Sequence, residues 1–504
     1  MYEGEDKSGI SKPWLYTWSM LRPLGNHTNE ESFQYREKFM GGLFGVVMKE
    51  DCIQDLFFGT DYHSHLGTKR GGLAVKGSDG LKSAIRNIEN AQFKSKLEDD
   101  LQKLHGSSGI GVISDYEDQP LIIGSHLGTY AIVTVGKINN LDELSRRASG
   151  KGVHFSEMSR GGVNPTELVA TLINEGATFA EGIQNAQEKI EGSCTMLILT
   201  EEGLYVARDR LGRTPVVLGE KPGSYAATLE TCAFPNVGYT ITKYLGPGEI
   251  ICVTEEGVEQ KKAPEARMQI CAFLWVYYGY PPTSYEGINV EAVRNKCGAA
   301  LAKKDDVDID IVAGIPDSGT GHAIGYANEA GITFRRPFVK YTPTWARSFT
   351  PQEQSIRDLV AIMKLIPVQE LVRGQRLLFA EDSIVRGTQL RDTIQRLYDC
   401  GAREVHMRPA CPPLVYTCKF LNFSQSRSEL DLAARKAIEE IEGTADKFLD
   451  EYTNPNSQKY AIMVERIRER LRLTSLKYQR LSDLVEAIGL PKEKLCTYCW
   501  DGVE

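Results

Sequence analysis

The residues with the clearest chemical content lie in one run, 377–390, LLFAEDSIVRGTQL. An apolar stretch ends in two acids, Glu381 and Asp382. Ser383, Ile384, Val385, Arg386, Gly387 and Thr388 follow, and a helix pattern begins. A strand that passes through such a loop into a helix suits a phosphate. Backbone N–H groups of the loop and the helix start point at the anion, and hydroxyls add donors. Gly387 lets the backbone come close. Acids beside phosphates serve sugar hydroxyls or a Mg²⁺ ion. An ordinary polar helix cap has the same local shape, so the run alone does not decide. A second feature is the pair Cys496-Thr497-Tyr498-Cys499. Two cysteines at this spacing chelate a metal from one tight turn, but two more ligands are needed.

The elements that must position these residues follow from the wider chain. Its 504 residues suggest about three domain-sized units, or two large ones. Hydrophobic residues at 41% and charged residues at 25% describe an ordinary globular protein, which excludes wholesale disorder and fibrous repeats. A net charge of -8 argues against a globally basic nucleic-acid surface, and no nucleic-acid partner is expected. No apolar run approaches the roughly 18 residues of a membrane helix. The first 40 residues show no secretory pattern, so no membrane association is expected and the cytoplasm is the expected location. Eleven cysteines spread over this length read as reduced thiols rather than a disulfide framework.

Residues 1–40 are polar and mixed and read as an extension. The texture changes at Gly41, where GGLFGVVMK forms a glycine-hinged strand. Strand-like runs then dominate to about residue 260, with helix patterns at 80–104 and 166–189. From about residue 286 the rhythm alternates. A helix (290–303), a strand (309–315), the turn Pro316-Asp317-Ser318-Gly319 and a helix (320–330) come first. A strand (376–380), the acidic loop, a helix (389–400) and a strand (404–408) follow. That order predicts a doubly wound α/β domain with a parallel sheet. Residues 428–485 read as helical and strongly charged.

The 381–388 run resembles the phosphoribosylpyrophosphate (PRPP) motif of type I phosphoribosyltransferases, with Glu381 in place of the usual first Asp. Its neighbours narrow the resemblance to glutamine PRPP amidotransferases, the amidophosphoribosyltransferase family. Segment 315–331 is similar to the pyrophosphate loop, and 347–368 to the flexible catalytic loop, with Arg347, Gln354, Arg357 and Lys364 on matching positions. Segments 207–220 and 230–248 resemble the glutaminase domain. The resemblance implies a four-layer αββα amino-terminal-nucleophile hydrolase-like domain, followed by a type I phosphoribosyltransferase sheet. The expected limits are an extension 1–40, a class II glutamine amidotransferase-like domain 41–265, a phosphoribosyltransferase domain 266–427, and a helical insert with the carboxyl-terminal tail, 428–504.

Several roles come with the resemblance. Asp317, Ser318, Gly319 and Thr320 would cradle pyrophosphate, and Asp382 to Thr388 would hold the ribose phosphate. Ser318, Glu381 and Asp382 would take Mg²⁺. Arg347 and Lys364 would act as catalytic cations on the leaving pyrophosphate. The substrates would be PRPP and ammonia or glutamine, the product phosphoribosylamine, the first step of purine biosynthesis. A homo-oligomer is expected, with free ammonia or an ammonia-supplying partner as nitrogen source. Cys271, Cys418, Cys496 and Cys499 match the positions that bind a four-iron, four-sulfur cluster in the bacterial cluster-containing branch; by chemistry alone zinc would serve as well.

The glutaminase half departs from the family pattern. Gly41 stands where the nucleophilic cysteine should begin the mature chain. No arginine stands in Gly111-Val112-Ile113-Ser114, where the family grips the glutamine carboxylate. The oxyanion pair Asn-Gly reads Val135-Gly136, and Asn164-Pro165-Thr166-Glu167 replaces a Ser-Asp-Thr-Glu pattern. These losses predict a dead glutaminase beside an intact PRPP site. The alternatives are a PRPP-binding paralogue or scaffold without catalysis, and a transferase using another amine.

Overall fold

The computed structural model describes residues 41–67, 69–89, 91–115, 117–159, 162–341, 365–421 and 429–504. Two antiparallel sheets fill the amino-terminal half. The first runs in the order Thr240–Tyr244, Val217–Lys221, Ser224–Thr228, Gly42–Met48, Ser108–Ser114, Arg70–Gly77, Gly80–Asn87. The second runs Val258–Lys262, Ile250–Val253, Leu204–Ala207, Gly192–Leu199, Gly128–Ile138, Leu121–Ser125. Alternate side chains of both sheets meet in a dry aliphatic layer that includes Leu43, Val47, Val112, Val133, Leu197 and Val206. The outer face of the first sheet is covered by the helices Ile53–Asp61 and Phe93–Leu101, through Phe57, Phe93 and Leu97. The outer face of the second is covered by Pro165–Ile173 and Phe179–Lys189, through Leu168, Phe179 and Ile183. The result is the expected αββα order.

Both long helix patterns are corrected. Residues 80–87 form an edge strand, because its turn, Gly77 to Gly80, closes a hairpin with Arg70–Gly77, and only Phe93–Leu101 is helical. The 166–189 pattern is two helices, the second started by Thr178, whose hydroxyl accepts the Glu181 N–H.

In the carboxyl-terminal half, four parallel strands lie in the order Ile311–Gly314, Arg376–Glu381, Glu404–Pro409, Ser475–Leu476. The helices Val290–Lys303, Thr320–Ala330 and Thr388–Asp399 match the sequence pattern closely. The charged segment after residue 428 packs rather than hangs. Ala433–Glu442 and Gln458–Leu471 bury Ile438, Met463, Ile467 and Leu471 against Phe379, Ile384 and Leu397 of the sheet and its loops. Residues 475–476 then supply the fourth strand. Among the described residues no helix is long and apolar enough to cross a membrane.

Candidate active site

The strand Arg376–Glu381 ends with Glu381 and Asp382 buried, at 8% and 5% exposure. Its parallel neighbour places Gly314 opposite Ala380, so the loops after the two strands emerge side by side at the ligand end of the sheet. One loop, Pro316 to Gly319, leads into Thr320–Ala330, and the other, Ser383 to Gly387, into Thr388–Asp399. The Pro316–Asp317 peptide is cis. Gly319 has to be glycine: a Cβ there would lie 2.2 Å from the Ala380 carbonyl oxygen. Gly387 turns into its helix with φ of 76°. Two helix starts, with N–H groups that lack intrahelical partners, thus stand over two acids.

The acids are held in place. The Ser318 hydroxyl and the Asp382 N–H both donate to Glu381 Oε1, at 3.1 Å each. The Ser383 hydroxyl donates to Asp382 Oδ2 at 2.6 Å. Lys340 pairs with the exposed Asp317 at 2.8 Å. Arg347, Gln354, Arg357 and Lys364 lie outside the described residues, as does the Thr388 side chain.

Sequence reasoning missed two groups beneath the acids. Arg294 is buried and donates to the carbonyls of Trp275 (3.0 Å), Tyr277 (3.0 Å) and Gly279 (2.8 Å), which ties down the π-helical turn Leu274–Tyr278. Burial pulls its pKa down, while the charge of Asp382 opposes that shift. His322 is fully buried and donates from Nε2 to the Val276 carbonyl at 3.1 Å. Burial, then the Arg294 charge, push its pKa down to about 4, so the ring is neutral. The signal was present: Val290, Val293, Arg294 and Cys297 share one buried helical face, and a charge on such a face needs a partner. The helical insert also reaches this site. Ala433 N–H donates to the Val385 carbonyl at 2.7 Å, Asp431 pairs with Arg386 at 3.3 Å, and the Leu471 side chain backs Gly387.

The glutaminase corner has a different character. Gly41 precedes the strand Gly42–Met48. A Cβ on it would lie 2.6 Å from the Ile113 carbonyl oxygen and 3.2 Å from a Val135 methyl. Ile113 is the register partner of Gly42, so this oxygen belongs to the sheet and cannot easily withdraw. The residues of the run 164–167 have structural tasks. Asn164 caps the helix Pro165–Ile173 by accepting the Thr166 N–H at 2.9 Å, and the Thr166 and Thr134 hydroxyls bond at 2.7 Å. Glu167 accepts the N–H groups of Ser156 and Glu157. His63 lies under Gly42. Its Nδ1 donates to the Gly59 carbonyl, Nε2 accepts the Glu230 N–H, and burial pushes its pKa down to about 4. The Cys52 thiol is buried and pushed up to about 12 by burial and then Asp51, so it stays protonated and serves packing.

The four expected metal-site cysteines come together from three segments. Cys271 and Cys496 are opposed in a parallel pair of two-residue strands, Ile270–Cys271 and Leu495–Cys496. The Cys499 carbonyl accepts the N–H groups of Val415 and Tyr416, and Leu421 N–H donates to the Cys418 sulfur at 3.4 Å. Burial, then the charges of Cys496 and Cys418, push the Cys271 thiol up. The Cys499 thiol is raised by its hydrogen bond with Cys418, burial, and the other two sulfurs. Among the described residues no group of three or more His, Cys, Asp or Glu is placed to hold a metal ion.

This architecture defines a class: a glutamine amidotransferase-type sandwich joined to a phosphoribosyltransferase sheet. A family model described as a glutamine amidotransferase domain matches residues 105–234. The amidophosphoribosyltransferase of Bacillus subtilis is 31% identical over 79% of this chain and 85% of its own length. That of Archaeoglobus fulgidus is 33% identical over 75% and 85%. That of Methanocaldococcus jannaschii is 29% identical over 92% and 97%. The chain belongs to the amidophosphoribosyltransferase family. The solved structure of glutamine PRPP amidotransferase from B. subtilis, complexed with ADP and GMP, superposes with a TM-score of 0.79 at 27% identity, over 92% of this chain and 96% of that one. The expected fold, an amino-terminal-nucleophile-type amidotransferase domain plus a phosphoribosyltransferase domain, is the one found.

Proposed function

We propose that this family member makes phosphoribosylamine and pyrophosphate from PRPP and ammonia, and does not hydrolyse glutamine itself. The observation that carries the reading is the Gly41 corner. The position of the nucleophile has no side chain, and the space for one is taken by the Ile113 carbonyl and Val135. The PRPP loop, by contrast, keeps its acids, hydroxyls and helix starts.

The chain's part in the transfer is binding, orientation and exclusion of water. Glu381 and Asp382 accept the ribose hydroxyls, and the Ser383 to Thr388 loop holds the 5-phosphate by backbone N–H groups. Pro316 to Thr320 hold the pyrophosphate, with Arg347 and Lys364 as its cations. Ammonia then attacks the anomeric carbon as the bond to pyrophosphate breaks, and the excess proton on nitrogen leaves to solvent. Ser318, Glu381 and Asp382 form an all-oxygen set that suits Mg²⁺, which would neutralise charge on the pyrophosphate. The four gathered thiols suit a four-iron, four-sulfur cluster with a structural role, since their donor chemistry is thiolate alone. The protein would act in the cytoplasm, on ammonia that is free or supplied by a partner.

The test measures pyrophosphate release from PRPP and Mg²⁺ with no acceptor, with ammonium and with glutamine. Release with ammonium and not with glutamine is the expected result. Glutamine turnover equal to that with ammonium would refute the dead-glutaminase reading. PRPP binding without release under any acceptor would favour a non-catalytic PRPP-binding member, and release with a different amine would reassign the acceptor. Anaerobic metal analysis distinguishes iron from zinc.

A further inference from the structure

We propose that the glutaminase-like sandwich completes the thiol site: Arg213 is the buried cation that balances and positions the group held by Cys271, Cys418, Cys496 and Cys499. This inference rests on the cluster reading given above. Arg213 belongs to the sandwich half, in the turn after Leu204–Ala207, and is 5% exposed. Its carbonyl accepts the Cys271 N–H at 3.1 Å. Its guanidinium lies 3.6 Å from the ring centroid of Phe420, two residues beyond Cys418. Nη1 donates to the Gly192 carbonyl and Nη2 to Gln269 Oε1, each at 3.3 Å, while the buried Nε–H has no hydrogen-bond partner.

Two further sandwich residues reach the same loop. Lys137 donates to the Cys418 carbonyl at 3.4 Å and Asn139 to the Lys419 carbonyl at 2.7 Å. One half of the molecule therefore supplies sulfur, and the other supplies positive charge and N–H donors. Four thiolates outweigh the charge of a cubane core, so a buried cluster is anionic and needs such a counterpart. A cation beside the cluster also makes reduction easier. The sandwich thereby keeps a task that is independent of glutamine.

The experiment uses the full chain, purified without oxygen, as wild type, Arg213→Met and Arg213→Lys. Iron and sulfide per chain, the rate of iron release to a ferrous chelator, and the reduction potential by optical titration are measured. Arg213→Met should release iron about 10-fold faster, the usual scale for a lost outer-shell partner, and its potential should move to more negative values. Arg213→Lys should restore the potential better than the release rate, since it keeps the charge and loses the planar fork. Arg213→Met with wild-type potential and release rate overturns the proposal. Should Arg213→Met fail to bind PRPP, and so be misfolded, Arg213→Lys decides alone: a wild-type release rate then overturns it. Wild-type protein without iron sinks the cluster reading and this inference together. Iron-bearing wild type with unchanged variants sinks this inference only.

Discussion

The start of the Gly42–Met48 strand and the end of the Arg376–Glu381 strand are two candidate catalytic corners built from different material. In the proposed reading the first would need side chains: a thiol, a guanidine and an amide. Gly41, the run Gly111 to Ser114 and Val135 offer none of them, and the Ile113 carbonyl and Val135 crowd the space beside Gly41. The second depends largely on backbone N–H groups at two helix starts, and substitution cannot remove those. The two acids it does need are held by Ser318, Ser383 and the Asp382 N–H. Chemistry built on side chains is lost by single replacements, while anion binding built on the main chain persists as long as the fold does. The interiors differ too. Aliphatic side chains dominate the layer between the sandwich sheets, and Arg208 and Arg213 are buried elsewhere in that half, whereas Arg294, Arg408 and Arg435 cross-tie the phosphoribosyltransferase half.

The sharpest test of that second contrast is Arg408→Met. Arg408 donates from Nη2 to Asp305 Oδ1 at 3.0 Å, both side chains 1% exposed. Removing it leaves Asp305 with only Lys477 at 3.0 Å and the Tyr326 hydroxyl at 2.8 Å, and urea unfolding should show a loss of about 2–3 kcal/mol. A near-zero change would mean that the charges do not hold that half together. Asp382→Asn comes next. Calorimetry should show PRPP binding weakened by about 1–3 kcal/mol, or roughly 5–150-fold; undiminished affinity would move the ribose contact elsewhere. Gly41→Ala should cost about 1–3 kcal/mol of stability, as overpacking does, and leave PRPP affinity alone. A neutral Gly41→Ala would show that the corner has room after all.

Acid treatment has the smallest effect per group and separates the halves least. His63 faces Glu230 and His65, and His322 faces Arg294 and Asp382; both have a folded pKa of about 4 against an ordinary 6.5. A depressed folded pKa means that the unfolded chain binds the extra proton first. Stability is therefore complete above about pH 6.5 and falls toward pH 4, by on the order of 1–2 kcal/mol per group at pH 5. Asp305, with a folded pKa of about 2, loses its contribution only below its ordinary 3.8. Thermal midpoints that stay constant from pH 7 to 5 would contradict the buried neutral histidines.

Much of this was legible in the chain. Strand, loop and helix around Glu381 and Asp382 follow from local apolar runs and one glycine. That residue 41 is a glycine, with no thiol, is equally plain. The illegible parts depend on contacts distant in sequence. The 80–104 pattern mixes an exposed edge strand with a helix, and only pairing with Arg70–Gly77 separates them. Nothing local to Arg213 announces that it faces Cys271 and Phe420, because those partners arrive from other segments. The packing of the charged insert was hidden because its buried residues, Met463, Ile467 and Leu471, form a narrow stripe within a strongly ionic helix.

The parallel pairing of Leu495–Cys496 with Ile270–Cys271 has a consequence for biosynthesis. The two strands are distant in sequence, and the first is made long before the second. The seam between the halves therefore closes only once residues 495–496 have emerged. Until then Ile270–Cys271 carries backbone N–H and C=O groups without their strand partner. The order of synthesis thus sets the order in which the two halves lock.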